Sequence, residues 1–177
     1  DDYENLPSLP PISHIMLNTV DAVNLNTFRT ERYSGQGVPN QQLQVLRNPL
    51  FLHEHAQGGS PFGQPEKFAD IRVYVDEDEG RVEWTVVSDA EMLVAGKDAR
   101  VFTVDAVEGT LTFGNGIRGQ MLPFGSNNVL IDVYRVVVGS KGNVAPFDIE
   151  VCDSISEVEV SNLLPATGGR DAETIDE

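Results

Sequence analysis

The 177-residue chain holds a single cysteine, Cys152, so no internal disulfide supports its fold. A fold without cross-links suits assembly in a reducing cytoplasm. Cys152 stands in an apolar alternation with Ile149, Val151 and Ile155, which reads as a small core position. No histidine lies near it in sequence to suggest a nucleophile–base pair. Long apolar runs are also missing. None approaches the ~20 residues that a membrane helix takes, and DDYENLPSLPP lacks the basic-then-apolar order of a signal peptide. No membrane is therefore expected as a partner. Position 1 is Asp rather than Met, which reads as a fragment or a processed product. Basic residues are scarce too: 12 Lys and Arg against 28 Asp and Glu give a formal net charge of −16. Such a surface repels phosphate backbones, so nucleic acid is disfavoured as a partner.

Helical periodicity is equally sparse. No stretch of about 12 residues or more carries a 3.6-residue apolar period, whereas period-two segments recur throughout. IRVYV (71–75) and RVEWTVV (81–87), joined by DEDEG, predict a hairpin. RVFTVDAV and TLTF flank Glu108-Gly109, a two-residue link of hairpin type. VLIDVYRVVV (129–138) is the longest predicted strand, and FDIEV and SEVEV are shorter ones. LQVLRNPLF reads as a short strand stopped by Pro49, and ISHIMLNTVDAVNLNTFRTERY as two strands. GQGVPNQQ and HEHAQGGSPFGQPEKF read as loops, dense in turn residues. SDAEMLVAGKD offers one short helical turn, with Ser88 or Asp89 as cap and Gly96 as stop. The expected class is mainly β: an antiparallel β-sandwich or rolled sheet with long loops and little helix. The expected organisation is an extended lead-in and first strand over 1–30, a β-rich domain over 31–160, and a linker over 161–177.

The motifs that carry chemistry are thin. Gly114-Asn115-Gly116-Ile117-Arg118-Gly119 spells G-x-G-x-x-G, the dinucleotide fingerprint. A pyrophosphate needs a helix after that turn, and Pro123 and Gly125 deny it one. No acid stands about 20 residues beyond to hold a ribose, since Asp132 comes too early and Asp148 too late. The glycines are therefore read as providing positive φ in consecutive tight turns between strands. His53-Glu54-His55 would place two imidazoles on one face of a strand, but its Gly/Pro-rich surroundings favour a solvated loop. Asp76-x-Asp78-x-Gly80 opens like a calcium loop, yet the closing Glu is replaced by Val87, and an exposed hairpin tip is the better reading. Trp84 alternates with Val82 and Val86, as a core anchor does; a sugar-stacking platform is the minor reading. G-x-S-x-G, Walker and H-E-x-x-H sequences are absent. No catalytic residue, cofactor site or metal site is assigned.

The order of segments carries more than any site. Phe102, Asp105, Gly109, Phe113-Gly114-Asn115-Gly116, Gly119, Gly125, Tyr134 and Gly142-Asn143-Val144 follow one another at the spacing of a known pattern. NLLPATGGRDAE follows later, and MLNTVDAV, GVPNQQLQVLRNPLF and Trp84 precede. Over roughly residues 12–175 the chain resembles the baseplate J-like wedge proteins of contractile injection systems and phage tails. It departs from them in Leu122-Pro123-Phe124, where a proline pair is usual, in Asn115, where Asp is common, and in Leu164, where proline stands. None of these departures removes a turn glycine.

The resemblance implies a structural role without catalysis or cofactor. It implies partners among other baseplate wedge, hub and sheath proteins in a large hetero-oligomer. It also implies assembly in a bacterial cytoplasm into a tail-like particle or virion, and a helical region following residue 177. The residues expected to shape this element are Phe113, Gly114, Asn115, Gly116, Gly119, Gly125, Gly142 and Asn143. The alternative is a β-sandwich module that binds a carbohydrate or receptor; NLLPATGGRDAE, leading toward a helical region, speaks for the wedge.

Overall fold

The computed structural model describes residues 19, 21–59, 65–152 and 157–171. Those residues are mainly β. In chain order the strands are β1 (Leu25–Gly35), β2 (Gln42–Gln44), β3 (Leu52–Gly59), β4 (Pro65–Ala69), β5 (Ile71–Glu77) and β6 (Gly80–Val86). Helix α1 (Asp89–Val94) leads to β7 (Val101–Asp105), β8 (Thr110–Phe113) and β9 (Gly125–Val137), and a 3-10 turn spans Gly139–Gly142. Seven strands form one sheet in the order β1-β9-β5-β6-β7-β8-β2, while β3 and β4 make a separate ribbon. The pairings are antiparallel except β6–β7, where Thr85 and Val86 run parallel to Val101 and Phe102. That parallel pair requires the chain to cross back, and α1 lies in the crossover.

The sheet rolls until its two edges meet. β1 and β2 share no ladder, and side chains close the seam instead. The Tyr33 hydroxyl lies 2.7 Å from both Glu31 Oε2 and the Gln44 carbonyl oxygen. Gln41 Nε2 donates to the Ser34 carbonyl at 2.9 Å, and the Leu46 amide donates to Glu31 Oε2 at 3.2 Å. Inside the roll, Val73, Val75, Phe102, Leu111, Ile131 and Tyr134 are fully buried. Rings of Phe102 and Phe113 stack at 5.4 Å, Trp84 meets Phe113 edge-on at 5.7 Å, and Phe28 stacks on Tyr134 at 5.6 Å. Trp84 is thus the expected core anchor, and its Nε1 donates to Glu77 at 3.0 Å. Buried in this way, it offers no face for a sugar.

Period two fails locally in β1 and β9, and the failures coincide. Phe28 and Tyr134 point inward, as do Glu31 with Ile131 and Tyr33 with Val129. The inward parity switches between Phe28 and Glu31, at Thr30, whose φ is +63°. β9 makes the matching switch where its register against β5 shifts, between the Arg72–Val133 and Val73–Ile131 pairs. Each strand thereby keeps its apolar side in the core across the irregularity.

The β5–β6 hairpin, the capped α1 and the long β9 stand where the sequence places them. Ser88 caps α1 in a full capping box: its side chain accepts from the Glu91 amide, and Glu91 accepts from the Ser88 amide at 3.0 Å. Other segments differ. HEHAQGGSPFGQPEKF contains the β3–β4 ribbon rather than one loop, with Leu52 opposite Ala69 and His53 opposite Phe68. Between 21 and 35 the chain forms the one strand β1; residues 12–18 and 20 lie outside the described set. Of the 43–51 segment only Leu43 and Gln44 belong to a strand, the end of β2, and Leu50 instead bridges Val136, continuing the lane of β5 along β9. The β7–β8 link is a four-residue turn, 106–109, because Asp105 Oδ1 accepts from the amides of Val107 and Glu108, each at 3.0 Å. FDIEV is irregular and so are 157–160, with no ladder among the described residues. Cys152 is accordingly only half-buried on that irregular stretch and is not a core position.

Candidate functional site

The residues singled out in the sequence fall into two groups at opposite ends of β9. One group surrounds the start of β9 at Gly125, the other its exit into Gly139–Gly142. Thirteen residues of strand separate them, about 40 Å at ~3.3 Å per residue.

At the first end, Phe113 is in the core and the chain leaves β8 into the glycine turns. Asn115 Oδ1 accepts from the amides of Ile117 at 2.9 Å and Arg118 at 2.8 Å. The backbone closes on itself with Asn115 donating to the Arg118 carbonyl and Gly116 to the Gly119 carbonyl. Asn115 uses only an acceptor oxygen for this, which an Asp at the same position would also supply. Gly116 and Gly119 adopt φ of +81° and +71°, as expected for the turn reading. Gly114 is there for space: a Cβ on it would lie inside the Gly119 carbonyl and 2.7 Å from the Gln120 carbonyl oxygen. No helix follows; residues 114–124 are irregular and lead directly into β9. Gly119 and Gln120 are tied to the segment after α1 by bonds to the Gly96 and Ala99 carbonyls.

Gly125 packs against the side chain of Asn128, a residue the sequence did not mark. Asn128 Nδ2 donates to the Pro123 carbonyl at 2.9 Å, and its Oδ1 accepts from the Gly35 amide at 2.7 Å. One side chain therefore fastens the end of β1 to the approach of β9.

At the second end, Asn143 forms a clasp with the segment 165–171. Its Nδ2 donates to the Gly169 carbonyl at 3.1 Å, and its Oδ1 accepts from the Gly169 amide at 2.9 Å. Val144 and Ala166 exchange backbone bonds at 3.0 and 2.9 Å beside it. Asp171 adds a third attachment, accepting from the amide and the hydroxyl of Ser140. Those bonds hold its carboxyl below the usual carboxylate range. Gly142 contributes its carbonyl, which accepts from Asn24 Nδ2 at 3.3 Å. Gly169 and Asp171 were legible only as part of the string PATGGRD; nothing in their spacing revealed that they answer Asn143.

His53-Glu54-His55 lies on β3. No group of three or more His, Cys, Asp or Glu among the described residues is placed to hold a metal ion. Asp76 at the hairpin tip is engaged by Arg81, with Nε to Oδ1 at 2.7 Å, which holds its carboxyl low. Among the described residues no helix is long and apolar enough to cross a membrane. Both clusters are built mainly from backbone amides, carbonyls and amide side chains, with the Asp171 carboxylate and the Ser140 hydroxyl added at the second, the chemistry of fixing chain direction. A comparison with protein-family models finds no match, and comparisons with curated proteins and with solved structures find none either.

Proposed function

We propose that the chain is a structural, non-catalytic component of the baseplate wedge of a contractile, phage-tail-like injection system, supplying protein–protein contacts to wedge, hub and sheath neighbours. The reading rests on the segment order that resembles baseplate J-like proteins. The observation that carries it is the Asn143–Gly169 clasp, where two separate blocks of that resemblance meet in one hydrogen-bonded unit. The clasp fixes the direction of the chain after β9, which supports a contact-bearing structural role. The turn cluster at the other end of β9 serves the same purpose. Purified tail-like particles from the source cell, analysed by quantitative mass spectrometry, test it. The chain is expected at fixed stoichiometry with sheath and hub proteins. Its absence from the particles, together with selective capture on a glycan array, would replace this reading with the carbohydrate-binding one.

A further inference from the structure

None of the 28 acids stands in residues 34–53 or 109–131. The fold brings these two acid-free segments together. β2 pairs with β8, the Asn40 amide donates to the Gly114 carbonyl at 3.2 Å, and the Phe113 amide donates to the Gln41 carbonyl at 3.1 Å. A cleft of about 170 Å³ opens where they meet α1. Met92 and Leu93 of α1 line one side of it, and Asn40, Thr103, Thr112 and Arg118 line others. Thr103 and Thr112 pair across β7–β8 on the outside of the roll, since Phe102, Leu111 and Phe113 turn inward. Large apolar side chains stand exposed along this surface: Leu93 at 59%, Ile117, next to Arg118, at 78%, and Phe124 at 87%. Phe124 rests beside Gly37, three residues before Asn40, with its Cβ 3.5 Å from where a Cβ on that glycine would stand. Arg72, Arg81, Arg100 and Arg135 each meet an acid. The Arg118 guanidinium, by contrast, has no hydrogen bond or ion pair among the described residues.

We propose that this cleft and its apolar rim dock another protein, which inserts one aromatic or large aliphatic side chain and sets a carboxylate against Arg118. A cavity of ~150 Å³ lined by aliphatic and aromatic side chains holds a benzene ring, so the cleft takes one side chain of that size. Ile117 and Phe124 lie outside the cleft, so the occupant reaches beyond it, as a protein surface does and a small molecule does not. Exposed aliphatic and aromatic side chains beside an arginine, on segments without acids, match the composition of an interface centre. The missing acids also let a carboxylate approach a chain whose net charge of −16 repels it elsewhere. α1 does bring Asp89 and Glu91 in its first turn, and Glu91 is engaged by Ser88. A second copy of this chain docking by the same face does not fit, because its acid-free segments have no carboxylate to set against Arg118. The inference stands whether or not the chain belongs to a baseplate.

The probe is a capped peptide, Ser-Gly-Phe-Asp-Gly-Ser, titrated into the whole chain, with versions carrying Ser for Phe and Lys for Asp as controls. Backbone amide chemical shifts are the readout. The Phe-Asp peptide is expected to move the amides of Thr103, Thr112 and Arg118 with half-saturation at about 1 mM or below, and each control to bind about tenfold more weakly or not at all. Thr103→Phe fills the cleft from outside the roll and is expected to weaken binding by about tenfold or more. Arg118→Glu loses no partner within the fold, and is expected to reverse the preference, favouring the Lys peptide over the Asp one. Shifts centred elsewhere on the chain, equal responses to the three peptides, or an unchanged preference in Arg118→Glu would overturn the proposal, as would no response at all.

Discussion

Gly114 lies where two stretches of backbone nearly touch, and a methyl group there has nowhere to go except into the Gly119 and Gln120 carbonyls. Gly114→Ala should therefore destabilise the chain by about 3 kcal/mol, as overpacking against rigid backbone does. Gly96→Ala, where a Cβ meets nothing within 4 Å, should leave the urea midpoint unchanged. Equal midpoints for the two variants would contradict the close approach. Glu31 and the two tyrosines whose hydroxyls donate to it, Tyr33 at the seam and Tyr134 in the core, make a second prediction at this scale. Burial, then the hydrogen bonds to Glu31, then its charge raise the ionisation of Tyr33 and Tyr134 well above the ordinary tyrosine range. Because the folded-state values are raised, the stabilisation is complete below the unfolded tyrosine pKa of about 10 and is lost as pH climbs beyond it. Denaturant midpoints should fall above roughly pH 10, and less steeply in a Tyr33→Phe/Tyr134→Phe chain.

Elements were legible where they are local. β5 and β6 follow from a period-two pattern on each side of DEDEG, and α1 from a capping box that spans only Ser88 to Glu91. β3 and β4 are not legible in the sequence because Gly58, Gly59 and Pro65, which lie within the ribbon's own strands, signal a turn, and the ribbon carries no clean alternation. The reverse error occurred at 147–151, where alternation is clear but a strand needs a neighbour that the described chain does not supply. The candidate site split in the same way. Its glycine turns were readable from composition, whereas Asn128 and the Asn143–Gly169 clasp depend on contacts across long separations. Asn143→Ala should release 165–171 while sparing the sheet. Amides of Ala166 and Gly169 are expected to lose protection by about tenfold or more, a local opening, with β5 and β9 unaffected. Global loss of protection would mean that the clasp supports the roll itself.

Charge is best judged over the whole molecule. The outer face of β1, β9, β5 and β6 carries Arg29, Arg32, Arg72, Arg81 and Arg135, five of the twelve basic residues. Acids match most of them: Arg72 lies 3.5 Å from Glu83, Arg81 pairs with Asp76, and Arg135 with Asp70. Exposed pairs of this kind contribute little stability. The excess lies elsewhere: residues 148–177 hold nine acids and only Arg170 as a base, half of the net charge. Self-repulsion should therefore outweigh the pairs, and raising salt to about 0.3 M should raise Tm by about 3 °C. A fall in Tm would show that the arginine face matters more than the global imbalance.

The sheet order also sets a timetable. β1 leaves the ribosome first among the described strands, but its ladder partner is β9, with Leu25 opposite Val137. At synthesis rates of about 5–20 residues per second, β1 waits on the order of 5 to 20 s before any part of that ladder can close. Until then the roll has neither of its central neighbours in place, and every seam bond to β2 lacks a sheet behind it. Folding of this chain is thus a late event, governed by the arrival of one long strand.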